Sequence, residues 1–438
     1  MKKILLLLLC LAAIHIKSQN NSAISETFLN KMIRGSFDSC RAYFDSSVID
    51  KINPEMIRGA WEKIPNYVGE FKSYNNIRSE KLDTLEAVFI TCAFEKTKLD
   101  LKLVFNQAQK IVGIFFQAVK SNAVYNVPEY YQVSKLYETK IPLKTGIYEM
   151  PGALCVPNNI ENPPVVIFIA GSGPNDKDET IGPNKILKDL ALGLASNGIA
   201  SYRYDKRTLA QASKMSSEMD KIGLNEEVFE DVLSAIKLLR NNEITKSSKI
   251  FIVGHSLGAM CAPHIAKKSS DVSGIVMMAG PKRSLEDVVF DQIKYLAALD
   301  SVIDDSDKKS IAEMEAQMIV LKDAKKLKSA KSEDLPLGMP SFYWQSIKKY
   351  DHVKTAKSIK QPILILNGER DYQVPMTEFN LWKKELGQDK KNTFISYPQL
   401  NHLFIKGEGK SVPSEYNTSG NVQEKVITDL VAWIKSFK

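Results

Sequence analysis

Apolar runs alternate with amphipathic segments from about residue 145 to the end of the chain. Continuous apolar runs are typical of strands buried on both faces, and the segments between them have helical spacing. This alternation predicts a parallel sheet with helices on both faces, in an α/β domain over 145–438. The predicted strands are Val165–Ala170, Ile199–Tyr204, Lys249–Gly254, Gly274–Ala279, Pro362–Asn367 and Thr393–Tyr397.

One long interval, between the fourth and fifth of these strands, interrupts the alternation. Within it, Ile293–Ala324 has a helical period and no strand pattern appears. Insertions of this length in a compact fold usually have a function. We predict a helical cap over 283–355, at the C-terminal edge of the sheet. Its larger apolar side chains fit either a substrate pocket or the cap's own core. They are Leu296, Met314, Met318, Phe342 and Trp344.

The segment 20–125 has a different pattern, which predicts a separate small α+β domain. Ile24–Phe44 has the spacing of an amphipathic helix, and three β-rich stretches follow it. A helix followed by a meander fits a cone-shaped sheet domain. The polar residues 126–144 are predicted to be a linker. The β-rich stretches are Thr84–Phe94, Leu99–Phe105 and Lys110–Ala118.

The first residues have the pattern of an export signal. A basic start is followed by the apolar run Ile4–Ile14, which is shorter than the ~20 residues that a transmembrane helix needs. Cys10 lacks the small residue expected just before a lipidated cysteine. We predict a signal peptide over 1–18, and a secreted or periplasmic product without stable membrane insertion.

Charge and cysteine content narrow the choice of partners. Removal of 1–18 lowers the net charge from +8 to +5, and the excess is not clustered, so no nucleic-acid partner is expected.

Export would permit disulfides, and Cys40–Cys92 is the first pair to test, although four buried thiols fit equally well. Homo-oligomerisation stays open. The cysteines of the mature chain are Cys40, Cys92, Cys155 and Cys261, and none has the spacing of a metal site.

The pentapeptide Gly254–Gly258, of the form G-x-S-x-G, carries the first candidate for chemistry. It follows a predicted buried strand and precedes a predicted helix. A nucleophile at such a strand-to-helix turn needs glycine on either side, and the helix N-terminus behind it favours developing negative charge. We therefore predict that Ser256 is a nucleophile, with an ordinary serine in a β–α turn as the alternative.

A nucleophilic serine needs a base and an acid. His15 leaves with the signal peptide. His255 is adjacent to Ser256, His264 is out of its reach along the following helix, and His352 lies in the cap region or its exit. In hydrolases with this turn, the chain order is serine, acid, histidine. His402, after the last short strand, satisfies that order and is the predicted base. Asp371, after Pro362–Asn367, is the predicted acid, with Glu369 as its rival.

The tetrahedral intermediate of such a reaction needs hydrogen-bond donors for its oxyanion. One predicted donor is the backbone N–H of Leu257, the residue after the nucleophile. The second is the backbone N–H of Ser172, in the glycine-rich loop that follows Val165–Ala170. A plain glycine-rich turn is the alternative for that loop.

These motifs resemble bacterial α/β-hydrolase esterases of the serine aminopeptidase/lysophospholipase-like branch. The matching segments are A-G-S-G-P-N-D-K-D-E from Ala170, G-H-S-L-G from Gly254, G-E-R-D-Y-Q-V-P from Gly368, and N-H at 401–402. More narrowly, the chain resembles exported esterases with a small N-terminal domain of unknown function, similar to cone-shaped NTF2-like folds.

The resemblance implies an α/β-hydrolase fold with a helical cap, and a nucleophile, acid and base at Ser256, Asp371 and His402. It also implies a structural ion pair between Arg203 and Asp205. The chain departs from the family's pattern at Thr208, where glycine is common, and at Ala170, where histidine is common.

The favoured function is hydrolysis of a small-molecule carboxylic ester through an acyl-enzyme, which requires neither a metal nor an organic cofactor. An aminopeptidase on the same residues would need an acidic anchor for a free amine, for which Asp176, Asp178 and Glu179 are candidates. A third alternative is a binding protein with an inactive hydrolase domain.

Overall fold

The computed structural model describes residues 21–50, 52–82, 84–95, 97–119, 123–299 and 303–437. These residues form two compact units. One unit contains the described residues up to 119 together with Ile303–Ser310, and the other contains the rest. The signal peptide expected at 1–18 lies outside the described residues.

The first unit contains a four-stranded antiparallel sheet in sequential order, with helical segments before it. Its first strand, Phe71–Leu82, was not predicted because most of its residues are polar. The helix expected over 24–44 ends at 33, since Gly35 has φ 70°, and Phe37–Tyr43 continues as a 3₁₀ turn. The other strands are Leu85–Phe94, Lys98–Phe105 and Ile111–Ala118, and the later helices are Pro54–Lys63 and Pro65–Val68.

The second unit is built on an eight-stranded mixed sheet. Six neighbouring strands run parallel, and the two strand pairings at the other end of the sheet are antiparallel. In spatial order the strands are Thr393–Tyr397, Ile363–Gly368, Val272–Met278, Ile250–His255, Val165–Ile169, Ala200–Tyr204, Gly152–Pro157 and Leu136–Lys140. The α/β class predicted from the apolar runs is confirmed.

Most side chains of the parallel strands are apolar because helices cover both faces of the sheet. The strand Ile250–His255 is buried along its whole length between Val165–Ile169 and Val272–Met278. Loops at the carboxyl ends of these strands therefore meet at one edge, which is where α/β sheets bind ligands. The larger covering helices are Ile186–Ser196, Glu230–Arg240, Leu257–Lys268, Met376–Leu386 and Glu424–Lys435.

The predicted linker 126–144 is not wholly a linker. Leu136–Lys140 is the edge strand of the large sheet, paired with Gly152–Pro157, and Leu143–Thr145 pairs with Tyr148–Met150. The hydrophobic pattern of the sequence does not reveal this strand because four of its five side chains are exposed. An edge strand needs only one buried face, so it lacks a continuous apolar run.

The interval predicted as a cap contains several helices connected by short loops, and no strand occurs in its described part. Met314, Met318 and Trp344 are buried in the hydrophobic core, whereas Leu296 and Phe342 are 40% and 45% exposed. The α-helices in the described part of 283–358 are Leu285–Ala297, Asp305–Lys322, Ala324–Ser329, Ser341–Lys349 and His352–Ser358.

The four cysteines of the described residues are free and buried, so the pair Cys40–Cys92 is not a disulfide. Burial raises the pKa of the Cys92 and Cys155 thiols to about 12. These thiols are therefore unreactive core residues. Within the described chain, no helix is both long enough and apolar enough to cross a bilayer.

Candidate active site

Ser256 lies between the strand Ile250–His255 and the helix Leu257–Lys268 in a strained backbone conformation, with φ 54° and ψ −117°. A positive φ is costly for a residue with a Cβ and usually marks a functional site. The flanking glycines have a steric reason. A Cβ on Gly254 would overlap the Gly258 carbonyl, and one on Gly258 would overlap the Ile169 carbonyl. The turn therefore has the geometry of a nucleophile elbow.

His402 and Asp371 are brought together as a buried pair. Nδ1 of His402 lies 2.7 Å from Oδ2 of Asp371, and the two residues are 4% and 3% exposed. Oδ1 of Asp371 accepts the backbone N–H groups of Gln373 and Val374 at 2.8 and 2.9 Å. These bonds fix the carboxylate, so it holds the imidazole in one orientation with Nε2 available for proton transfer.

The close approach of the two loops depends on Gly368, at the end of the strand Ile363–Gly368. A Cβ there would overlap the Leu400 carbonyl oxygen and lie 2.7 Å from that of Asn401. Glu369, the rival acid, is exposed and accepts a hydrogen bond from Ser396 Oγ at 2.8 Å. The structure therefore pairs His402 with Asp371 and places Glu369 on the surface.

The other described histidines have different partners. His264 stacks on Phe229 with a centroid distance of 3.9 Å, and burial with the nearby lysines lowers its pKa to about 4. His352 lies 3.0 Å from the Lys282 carbonyl through Nε2. His15 lies outside the described residues.

The two predicted oxyanion donors belong to segments that adjoin Ser256. Leu257 is the first residue of its helix, where backbone N–H groups have no intrahelical acceptor. The loop containing Ser172 borders the serine, because a Cβ on Gly171 would lie 3.3 Å from Cβ of Ser256. Among the described residues, the Ser172 N–H has no acceptor. Both amides are therefore free to bind an anionic oxygen.

A second buried acid–imidazole pair adjoins the first, and the sequence reasoning missed it. Nδ1 of His255 lies 2.9 Å from Oε1 of Glu179, and its Nε2 lies 3.0 Å from the carbonyl oxygen of His402. The same Glu179 oxygen accepts the Gly171 N–H at 2.7 Å. The pair therefore connects the glycine-rich loop to the backbone of the predicted base.

The protonation of this pair follows from its geometry. Burial lowers the pKa of His255, but the adjacent Glu179 carboxylate outweighs burial and raises it overall. Burial raises the pKa of Glu179, but the charge and hydrogen bond of His255 bring it below its ordinary value. Because both ring nitrogens face oxygen atoms, this arrangement favours the imidazolium form of His255, which can donate two hydrogen bonds.

Comparison with known proteins adds to this geometry. Residues 184–408 match the family described as serine aminopeptidase, S33. The chain is 32% identical to esterase EstD of Thermotoga maritima over 408 residues, which cover 93% of each protein. The chain belongs to the serine aminopeptidase S33 family. Residues 25–114 match a separate family described as a protein of unknown function (DUF3887). The resemblance expected from the motifs is confirmed, and homology to an esterase supports a carboxylic ester hydrolase.

Solved structures similar to this S33 family member include two esterases and a peptidase. Est1E from Butyrivibrio proteoclasticus is 14% identical, with 68% of this chain and 99% of that chain covered and a TM-score of 0.44. The esterase PF2001 of Pyrococcus furiosus is 14% identical, with coverage of 73% and 98% and a TM-score of 0.43. The acylaminoacyl peptidase of Pyrococcus horikoshii is 14% identical, with coverage of 82% and 55% and a TM-score of 0.47.

The ion pair that the resemblance implied for Arg203 is different in this S33 family member. Arg203 binds Asp178 at 2.9 Å and Glu138 at 2.7 Å, whereas Asp205 accepts the backbone N–H of Lys177 at 2.8 Å. The expected Arg203–Asp205 pair was wrong. Asp178 follows the glycine-rich loop and Glu138 lies on the edge strand, so Arg203 connects these two segments instead.

Proposed function

We propose that this protein hydrolyses carboxylic esters through an acyl-enzyme formed on Ser256, with His402 as general base and Asp371 as the acid that orients it. The single observation that carries the proposal is the buried His402–Asp371 pair, 2.7 Å apart, beside the strained serine turn. A strained nucleophile, a fixed imidazole and two free backbone donors are the parts that acyl transfer requires.

The reaction would proceed in two steps. His402 Nε2 takes the Ser256 hydroxyl proton as Oγ bonds to the ester carbonyl carbon, and the carbonyl oxygen becomes an oxyanion held by the Leu257 and Ser172 amides. The C–O bond to the alcohol then breaks, and the imidazolium returns the proton to the departing oxygen. A water next transfers a proton to His402 and attacks the acyl carbon. The carboxylic acid leaves as Ser256 regains its proton.

Substitution of Ser256 tests the proposal. Ser256→Ala is expected to lower kcat for p-nitrophenyl butyrate by at least about 10⁴-fold, because no other group can form the acyl-enzyme. A fluorophosphonate probe should label the wild-type protein at Ser256 and leave the variant unlabelled. Hydrolysis by the variant at the wild-type rate would overturn the proposal, and a folded wild type that neither hydrolyses esters nor takes the label would favour a binding protein.

The local contacts favour esters over peptides with a free amino terminus. Asp178 pairs with Arg203 and Lys185, Glu179 pairs with His255, and Asp176 accepts two hydrogen bonds from Thr180. The three acidic residues considered as amine anchors are therefore already engaged. We expect p-nitrophenyl esters to be turned over faster than aminoacyl p-nitroanilides. The reverse preference would indicate an aminopeptidase.

We further propose that the protein acts outside the cytoplasm after cleavage of residues 1–18. The support is the basic start and the short apolar run of the sequence. N-terminal sequencing of the protein recovered from its native host tests this. An N-terminus near Gln19 is expected, and an intact Met1 would contradict export.

A further inference from the structure

Gly171 is held on both its backbone polar groups by buried charged side chains. Its N–H donates to Glu179, as described above. Its carbonyl oxygen accepts a hydrogen bond from Nζ of Lys206 at 2.7 Å and another from Nδ2 of Asn175 at 3.1 Å. A glycine whose N–H and carbonyl are both hydrogen-bonded by buried side chains is unusual, and this glycine lies beside Ser256.

Lys206 is itself an unusual residue, because it is only 4% exposed. Lysine is almost never buried unless it is paired, and here its partner is Glu227, whose Oε1 lies 2.5 Å from Nζ. Glu227 is equally buried and lies in a π-helical turn, Asn225–Phe229. Single π-helical turns within helices are frequent at functional sites. Hydrophobic side chains would fill this space without the free-energy cost of burying two charges. Packing therefore does not explain why Lys206 and Glu227 occupy these positions.

The planarity of the peptide unit supplies that reason. The Gly171 carbonyl and the Ser172 N–H belong to one peptide unit, and in a trans peptide they point in opposite directions. Because Lys206 holds the carbonyl oxygen on the buried side, the Ser172 N–H is directed to the opposite, open side. Ser172 is exposed, and its N–H has no acceptor among the described residues. A cation on the carbonyl also polarises the peptide and strengthens its N–H as a donor.

The loop that carries Lys206 also holds the glycine-rich loop at two further points. The Lys206 N–H donates to the Asn175 carbonyl at 2.9 Å, and Asp205 accepts the Lys177 N–H at 2.8 Å. The two loops are thus connected along their length, and Nζ of Lys206 reaches the peptide nearest the serine.

We propose that Lys206, placed by Glu227, is a positioning residue that fixes the Gly171–Ser172 peptide with its N–H directed at the oxyanion of the reaction. This inference rests on the proposed function, because it presupposes that an oxyanion forms beside Ser256. Lys206 does not touch the substrate. It acts through the peptide, so its loss should weaken binding of the transition state and leave ground-state binding of the ester nearly unchanged.

The test is the double variant Lys206→Met/Glu227→Gln, in which no unpaired charge stays buried. With p-nitrophenyl butyrate we expect kcat to fall by about 10- to 100-fold, while KM changes by less than about 3-fold. This fall in kcat should not exceed the fall caused by removing a whole oxyanion donor. The inhibition constant of a trifluoromethyl ketone, which forms an oxyanion on the serine, should rise by the same factor as kcat/KM falls.

A matched control separates positioning from general damage. Arg207, the residue after Lys206, forms a buried ion pair with Asp231, with 2.5 Å between Nη2 and Oδ1, and neither side chain is hydrogen-bonded to Gly171. Arg207→Met/Asp231→Asn should keep kcat and the inhibition constant within about 3-fold of wild type. Equal losses in the two double variants, or none in the first, would overturn the inference.

If the first double variant does not fold, Asn175→Ala decides the matter. Asn175 is partly exposed, and its Nδ2 donates to the Gly171 carbonyl at 3.1 Å and to the Ser172 and Gly173 carbonyls at 3.0 and 3.4 Å. We expect kcat to fall about 3- to 10-fold, with a parallel rise in the inhibition constant, because the loop loses the side-chain donor that holds these carbonyls. Unchanged values would overturn the inference. A wild type without ester hydrolysis would instead overturn the proposed function itself.

Discussion

At the scale of single residues, the site depends on side chains that never meet a substrate. Glu179 and His255 occupy the space between the glycine-rich loop and the predicted base, and each hydrogen bond they make ends on a backbone group or on each other. Outer partners of this kind set the orientation of catalytic groups.

Replacement of Glu179 tests this role. Glu179→Gln keeps an acceptor for Gly171 but removes the charge that keeps His255 protonated in a buried site. A neutral imidazole has one N–H for two acceptors, so the bond to the His402 carbonyl or to residue 179 is lost. We expect kcat for p-nitrophenyl butyrate to fall about 10-fold or more. Glu369→Gln, on the exposed rival acid, is the control and should match wild type; a Glu179→Gln variant with wild-type kcat would contradict this role.

The sequence predicted Ser256, Asp371 and His402 from chain order and strand context, and the structure places the latter two in contact. The sequence does not predict the contact of His255 with Glu179, because adjacency to Ser256 shows only that His255 is not the base. The acidic residue of the loop, Glu179, was weighed only as an amine anchor. Both errors have one cause: sequence spacing does not show which distant side chains share a buried space.

At the scale of elements, glycines decide how closely the helix behind Ser256 approaches the sheet. Gly258 lies in the first turn of Leu257–Lys268, where a Cβ would overlap the Ile169 carbonyl and lie 2.8 Å from that of Ala170. The close approach allows the first amides of the helix to reach the edge of the sheet at which the serine lies. Both the packing of the helix against the sheet and the placement of its first amides therefore require glycine at position 258.

A single methyl group tests that packing. Gly258→Ala is expected to lower the free energy of unfolding by about 1–3 kcal/mol, because backbone must shift to make room for it. Gly59→Ala, within the helix Pro54–Lys63, meets nothing within 4 Å and should be neutral or stabilising by up to about 1 kcal/mol. Urea unfolding of both variants gives the comparison, and a Gly258→Ala variant as stable as wild type would contradict the close approach.

Element prediction succeeded where burial on both faces produces a continuous apolar run, as in Ile250–His255 and Ile363–Gly368. It failed for Gly152–Pro157, although that strand is buried along its length. It also failed for Phe71–Leu82 and Leu136–Lys140, two edge strands with mostly polar or exposed side chains. Backbone pairing to one neighbour holds such strands, and that pairing has no signature in the sequence pattern.

At the scale of the hydrolase unit, one buried carboxylate connects distant parts of the chain. Asp189, 1% exposed, accepts hydrogen bonds from the Tyr125 hydroxyl at 2.8 Å, the Val422 N–H at 2.9 Å and the Asn421 amide at 3.2 Å. Burial raises its pKa from 3.8 to about 6, although these hydrogen bonds oppose the rise. The start and the end of this unit are thus joined at a group that titrates in mildly acidic solution.

This shift predicts how stability depends on pH. The folded protein holds the Asp189 proton more tightly than the unfolded chain, so the stabilisation is complete below about pH 4 and is lost as pH rises through about 6. The free energy of unfolding of wild type relative to Asp189→Asn should therefore fall by up to about 3 kcal/mol over that interval. Urea unfolding of both proteins at pH 4.5, 5.5 and 7 measures it. A difference that is constant, or that grows with pH, would contradict the prediction.

The doubly held Gly171 also indicates where directed evolution of this hydrolase should begin. A loop whose amide and carbonyl are both fixed by buried ions accepts few replacements, so a saturation library over 171–179 would consist largely of inactive clones. The exposed apolar side chains Leu296 and Phe342 belong to helices of the same unit and carry no such constraint. A library at those two positions is expected to stay folded, and a screen of it for altered ester preference would show whether these side chains line the substrate site.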